Sequence, residues 1–422
     1  MARPYLISGI DVGNSQVKVV VSKVDRESLS VDPALARKSG VEILGVGSAP
    51  SNGLRKGMVV DMEEAIDNIR TAVQRAEAMA GVSVKRAYVA VNGLHIKNQV
   101  SRGVIAVSRA DNEISQNDID RVIQAASVVS LPVNREMIHV IPRNFIVDGV
   151  ENVKNPLGMK GVRLEAEVFI IEGLSPYLRN LAKCVNENNI EVAGLVFAPL
   201  ASSLSVLDKN QKEYGVLNLD FGGGTSTLTV FEEADLLHSV VLPVGSKHIT
   251  ADLAVALRTS MDVAERVKLE HGATSESLDL RKRDNIDLSE LVGEENFLWP
   301  KKQLVNVIDA RAHELLDLVS AELKKISKGM LPAGVVLSGG GANLPGLAAL
   351  VKEKLRLPVK IARPVSFHGS LEDQNDPSFS VAVGLVLWGL DEEFGSAKGK
   401  TAPASKNMFF KKAGGWLKNF LP

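Results

Sequence analysis

Two short segments, half a chain apart, repeat one pattern: an apolar run ending in aspartate, then glycine with hydroxyl or amide residues, then a second β-rich run. The first is Ile10-Asp11-Val12-Gly13-Asn14-Ser15-Gln16-Val17-Lys18, and the second is Leu219-Asp220-Phe221-Gly222-Gly223-Gly224-Thr225-Ser226-Thr227. Each reads as a hairpin with a phosphate-sized turn. Gly13 and Gly222 to Gly224 are expected to take up positive φ and let the backbone approach an anion, with successive N–H groups pointing inward as a nest. Asp11 and Asp220 would then lie behind the phosphates, where Mg2+ and its waters need hard oxygen ligands. Taken singly, either turn is ordinary Asp-x-Gly hairpin chemistry. The matching pair is what lifts the reading above that.

A third element follows, Val335-Val336-Leu337-Ser338-Gly339-Gly340-Gly341-Ala342-Asn343-Leu344-Pro345-Gly346: a buried strand, a glycine turn, and a helix beginning near Gly346. No segment spells Gly-x-x-x-x-Gly-Lys-Ser/Thr, and no glycine cluster after a strand gives Gly-x-Gly-x-x-Gly, so a Walker loop and a Rossmann fingerprint are disfavoured. Around these turns short apolar runs (Tyr5 to Ile10, Val17 to Val21, Arg86 to Val91, Gly215 to Leu219, Leu228 to Phe231, Gly334 to Leu337) alternate with amphipathic stretches of helix length. Helices are expected at Met62 to Ala80, closing at Gly81, and at Leu304 to Lys328. The fold class is therefore α/β. At roughly 150 residues per domain, 422 residues predict two or three domains. A chain with 45% hydrophobic and 23% charged residues is neither disordered nor collagen-like. Its 49 basic and 50 acidic residues give a net charge of −1 and no global signal for nucleic acid. Cys184 is the single cysteine, which leaves no intramolecular disulfide and no cysteine-based zinc site. The opening residues reach Asp11 before any long apolar stretch, so no secretory signal is expected. No run is long enough for a spanning helix, and the fold is expected to be soluble.

Two regions differ in texture. Lys85 to Leu164 carries strand-like pieces (Tyr88 to Val91, Val104 to Val107, Glu136 to Phe145) around one helix, Ile119 to Ser130, as a small inserted α+β module would. From Asp391 the composition turns small, polar and breaker-rich, as in a flexible linker.

Two phosphate hairpins followed by a late Ser-Gly-Gly-Gly turn resemble the actin, Hsp70 and sugar-kinase superfamily, in which two RNase H-like domains clamp Mg-ATP. The resemblance runs from about Leu6 to Leu390. It implies that Asp11, Gly13, Asn14, Ser15 and Lys18 form the first phosphate loop, and Asp220, Gly222, Gly223, Gly224 and Thr225 the second. Asp11 and Asp220 would be the catalytic and Mg2+-holding carboxylates, the latter through water. Gly339, Gly340, Gly341 and Asn343 would pack against adenosine. Glu265 and Lys268, three apart on one helical face, would touch the ribose and adenine, although such a pair is also an ordinary solvated ion pair. One departure concerns catalysis. The superfamily's bacterial actins and Hsp70-like members open a helix with Glu-Pro-x-Ala-Ala near the attacking water, whereas this chain reads Phe197-Ala198-Pro199-Leu200-Ala201-Ser202. A water-orienting group is worth about 10² to 10⁴ in rate, so Ala198 predicts slow turnover at most and ATP as a conformational ligand. His139, His238, His248 and His271 are scattered and suggest no replacement.

The end of the chain separates relatives. At about 100° per residue, Trp416, Phe409, Phe420, Ala413, Leu417, Phe410 and Leu421 fall within an arc of roughly 140°, with Lys411, Lys412 and Lys418 opposite. Lysines facing a Trp/Phe/Leu stripe mark a helix that lies in a bilayer interface. Beyond Ala397 there are six lysines and no acid, so the remaining 43 basic and 50 acidic residues leave a body of charge −7. An anionic leaflet should repel that body and attract that end. Many such helices on one filament would bind far more strongly than one.

With the insertion and this end, the chain resembles the FtsA family of bacterial division proteins. The resemblance extends to the wording of Gly-Val-Leu-Asn-Leu-Asp-Phe-Gly-Gly-Gly-Thr and Ala-Glu-Arg-Val-Lys-Leu-Glu-His-Gly. It implies domain 1A at 1–84, 165–198 and 366–390, an inserted subdomain 1C at 85–164, domain 2A at 199–243 and 313–365, subdomain 2B at 244–312, a linker at 391–405 and an amphipathic membrane-targeting helix at 406–422. It further implies ATP and Mg2+ as cofactors, self-association into filaments, and a place on the cytoplasmic face of the inner membrane at midcell. Partners would be the FtsZ C-terminal peptide, later divisome proteins through 1C, anionic lipids, and no nucleic acid. Within 2B, Lys301, Lys302 and Arg311 are basic positions that an acidic peptide could meet, although lysines before a helix are also ordinary solvent contacts. The alternatives are a PilM-like pilus assembly ATPase and a metabolite kinase of the same fold; the latter would need a dedicated carboxylate base beyond Asp11 and Asp220.

Overall fold

The computed structural model describes residues 5–25, 41–275, 284–293, 296–326, 331–364 and 376–394. In chain order the elements are β1 (Tyr5–Val12), β2 (Gln16–Val24), β3 (Val41–Pro50), the short pair β4 (Leu54–Arg55) and β5 (Met58–Val59), α1 (Met62–Ala80) and β6 (Arg86–Val91). Then come β7 (Lys97–Ala106), α2 (Gln116–Ala126), β8 (Arg135–Val147), β9 (Val150–Val153) and β10 (Arg163–Leu174). The first half closes with α3 (Ser175–Asn186), β11 (Glu191–Phe197) and α4 (Ala198–Val206). The second half has α5 (Lys209–Tyr214), β12 (Val216–Phe221), β13 (Ser226–Glu232), β14 (Asp235–Leu242), α6 (Ser246–Leu257), α7 (Met261–His271) and β15 (Asn285–Asp287). It ends with α8 (Ser289–Val292), β16 (Leu298–Pro300), α9 (Lys301–Leu323), β17 (Val335–Ser338), α10 (Leu347–Leu355), β18 (Val359–Ile361) and α11 (Ser380–Phe394).

The two large sheets have one design. One runs β3-β2-β1-β6-β11 and the other β14-β13-β12-β17-β18. In each, three consecutive strands form an antiparallel meander and two later strands join in parallel beside the first of them. The hairpin registers coincide as well. Val12 faces Val17 and Asp11 faces Lys18 in the first half; Phe221 faces Ser226 and Asp220 faces Thr227 in the second. Both turns are thus four residues long, Gly13 to Gln16 and Gly222 to Thr225.

The halves are joined by α4 and α11. Every residue of α11 from Ser380 to Asp391 is buried, which its unbroken apolar run requires. The crossing is close: a Cβ on Gly384 would collide with the carbonyl oxygen of Ala201. Buried polar groups at this joint are paired with one another. Asn218 Nδ2 donates to Ser202 and Ser203 Oγ at 3.2 and 3.3 Å, and Ser338 Oγ donates to Asn218 Oδ1 at 3.1 Å.

Several expected boundaries move. Arg86–Val91 pairs with β1 and β11, so it belongs to the first large sheet and not to the insertion. The inserted sheet, β7-β10-β8-β9, runs from Lys97 to Leu174, later than the expected 85–164. Its helix begins at Gln116, because Ser115 and Asp118 form a capping box there, and ends at Ala126 rather than Ser130. The helix expected at 304–328 is α9, which starts at Lys301 directly after Pro300 and ends at Leu323. Asp391 is no linker residue. The α11 helix continues to Phe394, and Glu393 ties it to the first sheet by accepting from Arg86 Nη1 at 2.8 Å and Tyr88 OH at 3.1 Å. The stretch 395–422, with Phe409, Phe410, Lys411, Lys412, Trp416, Leu417, Lys418, Phe420 and Leu421, lies outside the described residues. Among the described residues no helix is long and apolar enough to cross a membrane.

Candidate functional site

The two four-residue turns meet face to face. Within each, the same contact sets the shape: a Cβ on Gly13 would stand 2.8 Å from Gln16 O, and one on Gly222 2.6 Å from Thr225 O. None of Gly13, Gly222, Gly223 and Gly224 has a positive φ, contrary to expectation. The glycines are needed for space. A Cβ on Gly223 would collide with Ser15 Oγ, and one on Gly224 with Asn14 Nδ2. Side chains of the first turn therefore lie where the second has none. Asn14 is held in place by accepting from Gly57 N at 2.8 Å, and Ser51 N donates to Ser15 O at 2.9 Å.

Behind the turns lies a charged floor. Lys18 is buried, 5.6 Å from the centre of the Phe379 ring, and is acted on by Asp11, Asp220 and Asp376. Burial lowers its pKa, and the three carboxylates oppose the shift. Burial raises Asp11 to about 6, with Lys18 pulling the other way. It raises Asp220 to about 7, and the charge of Asp11 adds to the shift. Two hard-oxygen donors that resist ionisation together suit a divalent cation, which would stabilise both charges. The fully buried hydroxyl of Ser51, on the segment behind the first turn, makes no hydrogen bond among the described residues.

The third glycine turn packs on the second hairpin. Gly339 has φ 78°, a value that favours glycine, and a Cβ there would collide with Asp220 Oδ1. A Cβ on Gly341 would strike the Phe221 ring, while Gly340 is more open, with Ser378 Cβ at 3.6 Å. Asn343 Nδ2 donates to Asp376 Oδ1 at 3.0 Å, so its amide supports the floor. Glu265 and Lys268 on α7 are more than a solvated pair. Lys268 is buried, its Nζ lies 2.7 Å from Glu265 Oε2 and 2.9 Å from Thr250 Oγ1, and Thr250 Oγ1 donates to the same carboxylate.

The remaining candidates divide. Lys301 and Lys302 open α9, and Lys301 lines a cavity of about 330 Å3 together with Glu270, His271, Ile286 and Pro345. Arg311 is committed elsewhere: its Nε and Nη2 donate to the two oxygens of Asp252 at 2.8 and 2.9 Å, and it also pairs with Glu314. It braces α9 against α6 and is not a free cation for a peptide. Ala198, at the start of α4, is buried and brings no carboxylate. His139 accepts from Phe197 N at 2.9 Å against the Trp388 ring, and burial drops it to about 3, so it is a neutral core group. Sequence reasoning missed Lys247, Asp376 and Phe379. No pattern flags a lysine at a helix start, and the other two lie more than 350 residues from the turn they support.

Two family models match the chain: "SHS2 domain inserted in FTSA" over residues 93–172, and "Cell division protein FtsA" over residues 217–384. The chain is 35% identical over 98% of its length to the cell division protein FtsA of Borreliella burgdorferi, covering 98% of that protein. With FtsA of Bacillus subtilis the identity is 38% over 90% of this chain and 82% of the relative; with that of Escherichia coli it is 32% over 98% and 97%. The chain belongs to the FtsA family. Membership makes it a cell division protein with an SHS2 insertion, and the matched insertion includes β7, β8, β9 and β10 as far as Glu172, two residues short of the end of that strand. PilM, in a PilM-PilN type IV pilus biogenesis complex, has a TM-score of 0.64 at 17% identity, over 91% of this chain and 98% of that one. MreB5 of Spiroplasma citri, bound to AMPPNP, has a TM-score of 0.53 at 15% identity, over 92% and 96%. At such identity these likenesses show the fold, which is actin-like. The PilM-like alternative rests on fold alone, whereas sequence identity over nearly the whole chain is with FtsA.

Proposed function

We propose that this FtsA-family protein binds Mg-ATP between its two turns, assembles into filaments on the cytoplasmic face of the inner membrane at the division site, and tethers FtsZ there while its insertion recruits later divisome proteins. The observation that carries the nucleotide part is the interlocked pair of turns over Asp11 and Asp220. Gly13 N closes its own turn on Gln16 O at 3.1 Å, so the backbone N–H groups of Asn14 and Ser15 and of Gly222 to Thr225 would cradle phosphate oxygens, and Asp11 and Asp220 would hold Mg2+ through water. Bound there, Mg2+ would neutralise phosphate charge. Glu265 and Lys268 would take the ribose side, and Gly340, the open glycine of its turn, the adenine side. With alanine at 198, that position brings no carboxylate to orient a water, so nucleotide would govern closure of the halves more than it is turned over. Lys301 and Lys302, beside the 330 Å3 cavity, are the basic positions offered to the FtsZ C-terminal peptide.

Membrane attachment rests on Lys406 to Pro422, whose lysine-opposed aromatic stripe suits an anionic interface. Liposome co-sedimentation tests the tether. The full chain should carry FtsZ, and separately its C-terminal peptide, into the pellet with anionic vesicles. A chain lacking 406–422 should bind the peptide and leave it in the supernatant. Equal pelleting of FtsZ by both chains would sink the tether.

A further inference from the structure

A cation that no motif predicted reaches from one turn to the other. Lys247 is anchored to the second turn by its own backbone: Lys247 N donates to Gly223 O at 2.8 Å, and its neighbour Ser246 N donates to Gly222 O at 2.9 Å. Its side chain leaves that half altogether. The ammonium donates to Asn14 O at 2.7 Å, in the middle of the first turn, and reaches Ser51 O at 3.4 Å on the segment behind it. Lys247 thus has its backbone on one turn and its charge on the other.

Its surroundings differ from those of Lys18. Lys18 is buried with an aromatic ring beneath it, and three carboxylates, Asp11, Asp220 and Asp376, already face its charge. Lys247 is half-buried on two backbone carbonyls. Glu265, the carboxylate that acts on it, is shared with Lys268 and Thr250. An ammonium has three donors. The carbonyls of Asn14 and Ser51 take two, and a phosphate oxygen is a stronger acceptor than either because the bond would join opposite charges.

We propose that Lys247, rather than Lys18, is the cation that meets the nucleotide's phosphates, drawing the two turns together over them. This rests on the nucleotide reading and adds a residue to it. Lys18 is then a floor residue that offsets the repulsion between Asp11 and Asp220, and Lys247 makes affinity depend on the phosphate chain.

The test is calorimetric titration of the full chain with ATP, ADP and adenosine in the presence of Mg2+, for wild type, Lys247→Met and Lys247→Arg. Lys247→Met keeps the apolar stem and removes the charge, and a thermal melt checks its fold. Loss of one charge-assisted hydrogen bond predicts about 10- to 100-fold weaker ATP binding. Adenosine should be unchanged within about twofold, and Lys247→Arg should recover most of the ATP affinity. Unchanged ATP binding in a folded Lys247→Met, or an equal loss for ATP and adenosine, overturns the assignment and leaves the nucleotide site standing. A wild type that binds none of the three ligands overturns the nucleotide reading and this assignment with it.

Discussion

The first and second halves of the molecule are built alike and finished differently. Both carry a three-strand meander with two parallel strands beside it, and both end their first hairpin in a four-residue turn after an aspartate. The first turn, Gly13-Asn14-Ser15-Gln16, bears side chains; the second, Gly222-Gly223-Gly224-Thr225, is nearly bare. That difference is what lets them interlock, since Ser15 and Asn14 occupy the space that Gly223 and Gly224 leave open. The extra material differs too. The first half holds the β7-β10-β8-β9 sheet after β6, while the second holds α6 to α9 after β14. Two copies of one plan thus meet in an asymmetric pair of turns, with Lys18 beneath one and Thr227 at the matching place beneath the other.

The largest effect is expected where the halves share a joint. Gly384→Val drives a side chain into Ala201 at the α4–α11 crossing and should cost about 3 kcal/mol in urea denaturation. A change under about 0.5 kcal/mol would mean that the halves are not held by that crossing.

The floors give the next prediction. The native pKa of Asp220, about 7, lies above its ordinary value of 3.8, so the folded state holds a proton that the unfolded state has released. Stability from this group is present at low pH and is lost as pH rises from about 4 through 7. Buried His95 and His139, lowered to about 4 and about 3, act in the opposite sense, so the readout must be a difference. Without nucleotide or Mg2+, wild type should lose about 2 kcal/mol relative to Asp220→Asn between pH 5 and pH 8, discounted for solvent screening. Mg2+ should narrow the gap at pH 8. Differential scanning calorimetry reads both, and a pH-independent gap would remove the buried-carboxylate account.

The smallest effect tests how the insertion sits on the second half. Lys154 pairs with Asp235 Oδ2 at 2.6 Å and donates to Glu233 O at 2.9 Å, beside a hydrogen bond from Asn98 to Ser239 O. Lys154→Met should cost about 1 kcal/mol and raise hydrogen exchange in β14 more than in β3. Equal exchange in both strands would place the insertion with the first half alone.

The paired hairpins were legible in the sequence because a strand, an aspartate and a glycine turn follow one another at fixed short spacing. Asp11, Gly13, Asp220 and Gly222 to Gly224 are brought together as the motifs implied. What was hidden depends on long-range pairing. The run Arg86–Val91 is apolar enough for either sheet, and only its pairing with β1 and β11 decides between them. The glycine turns lead one to expect positive φ, whereas what Gly223 and Gly224 make room for is Ser15 and Asn14, about 200 residues away in the chain. Arg311 reads as a free cation until Asp252 is placed beside it, and Asp391 reads as linker until α11 is packed.

The interlock of the turns is the central claim, and a double-mutant cycle on Ser15 and Gly223, with Mg-ATP affinity measured by calorimetry, tests it most directly. Gly223→Ala should weaken binding at least tenfold when Ser15 is present and far less in a Ser15→Gly background, giving a coupling of about 1.4 kcal/mol or more. Additive losses, with Gly223→Ala costing the same in both backgrounds, would contradict the claim that the two turns form one site.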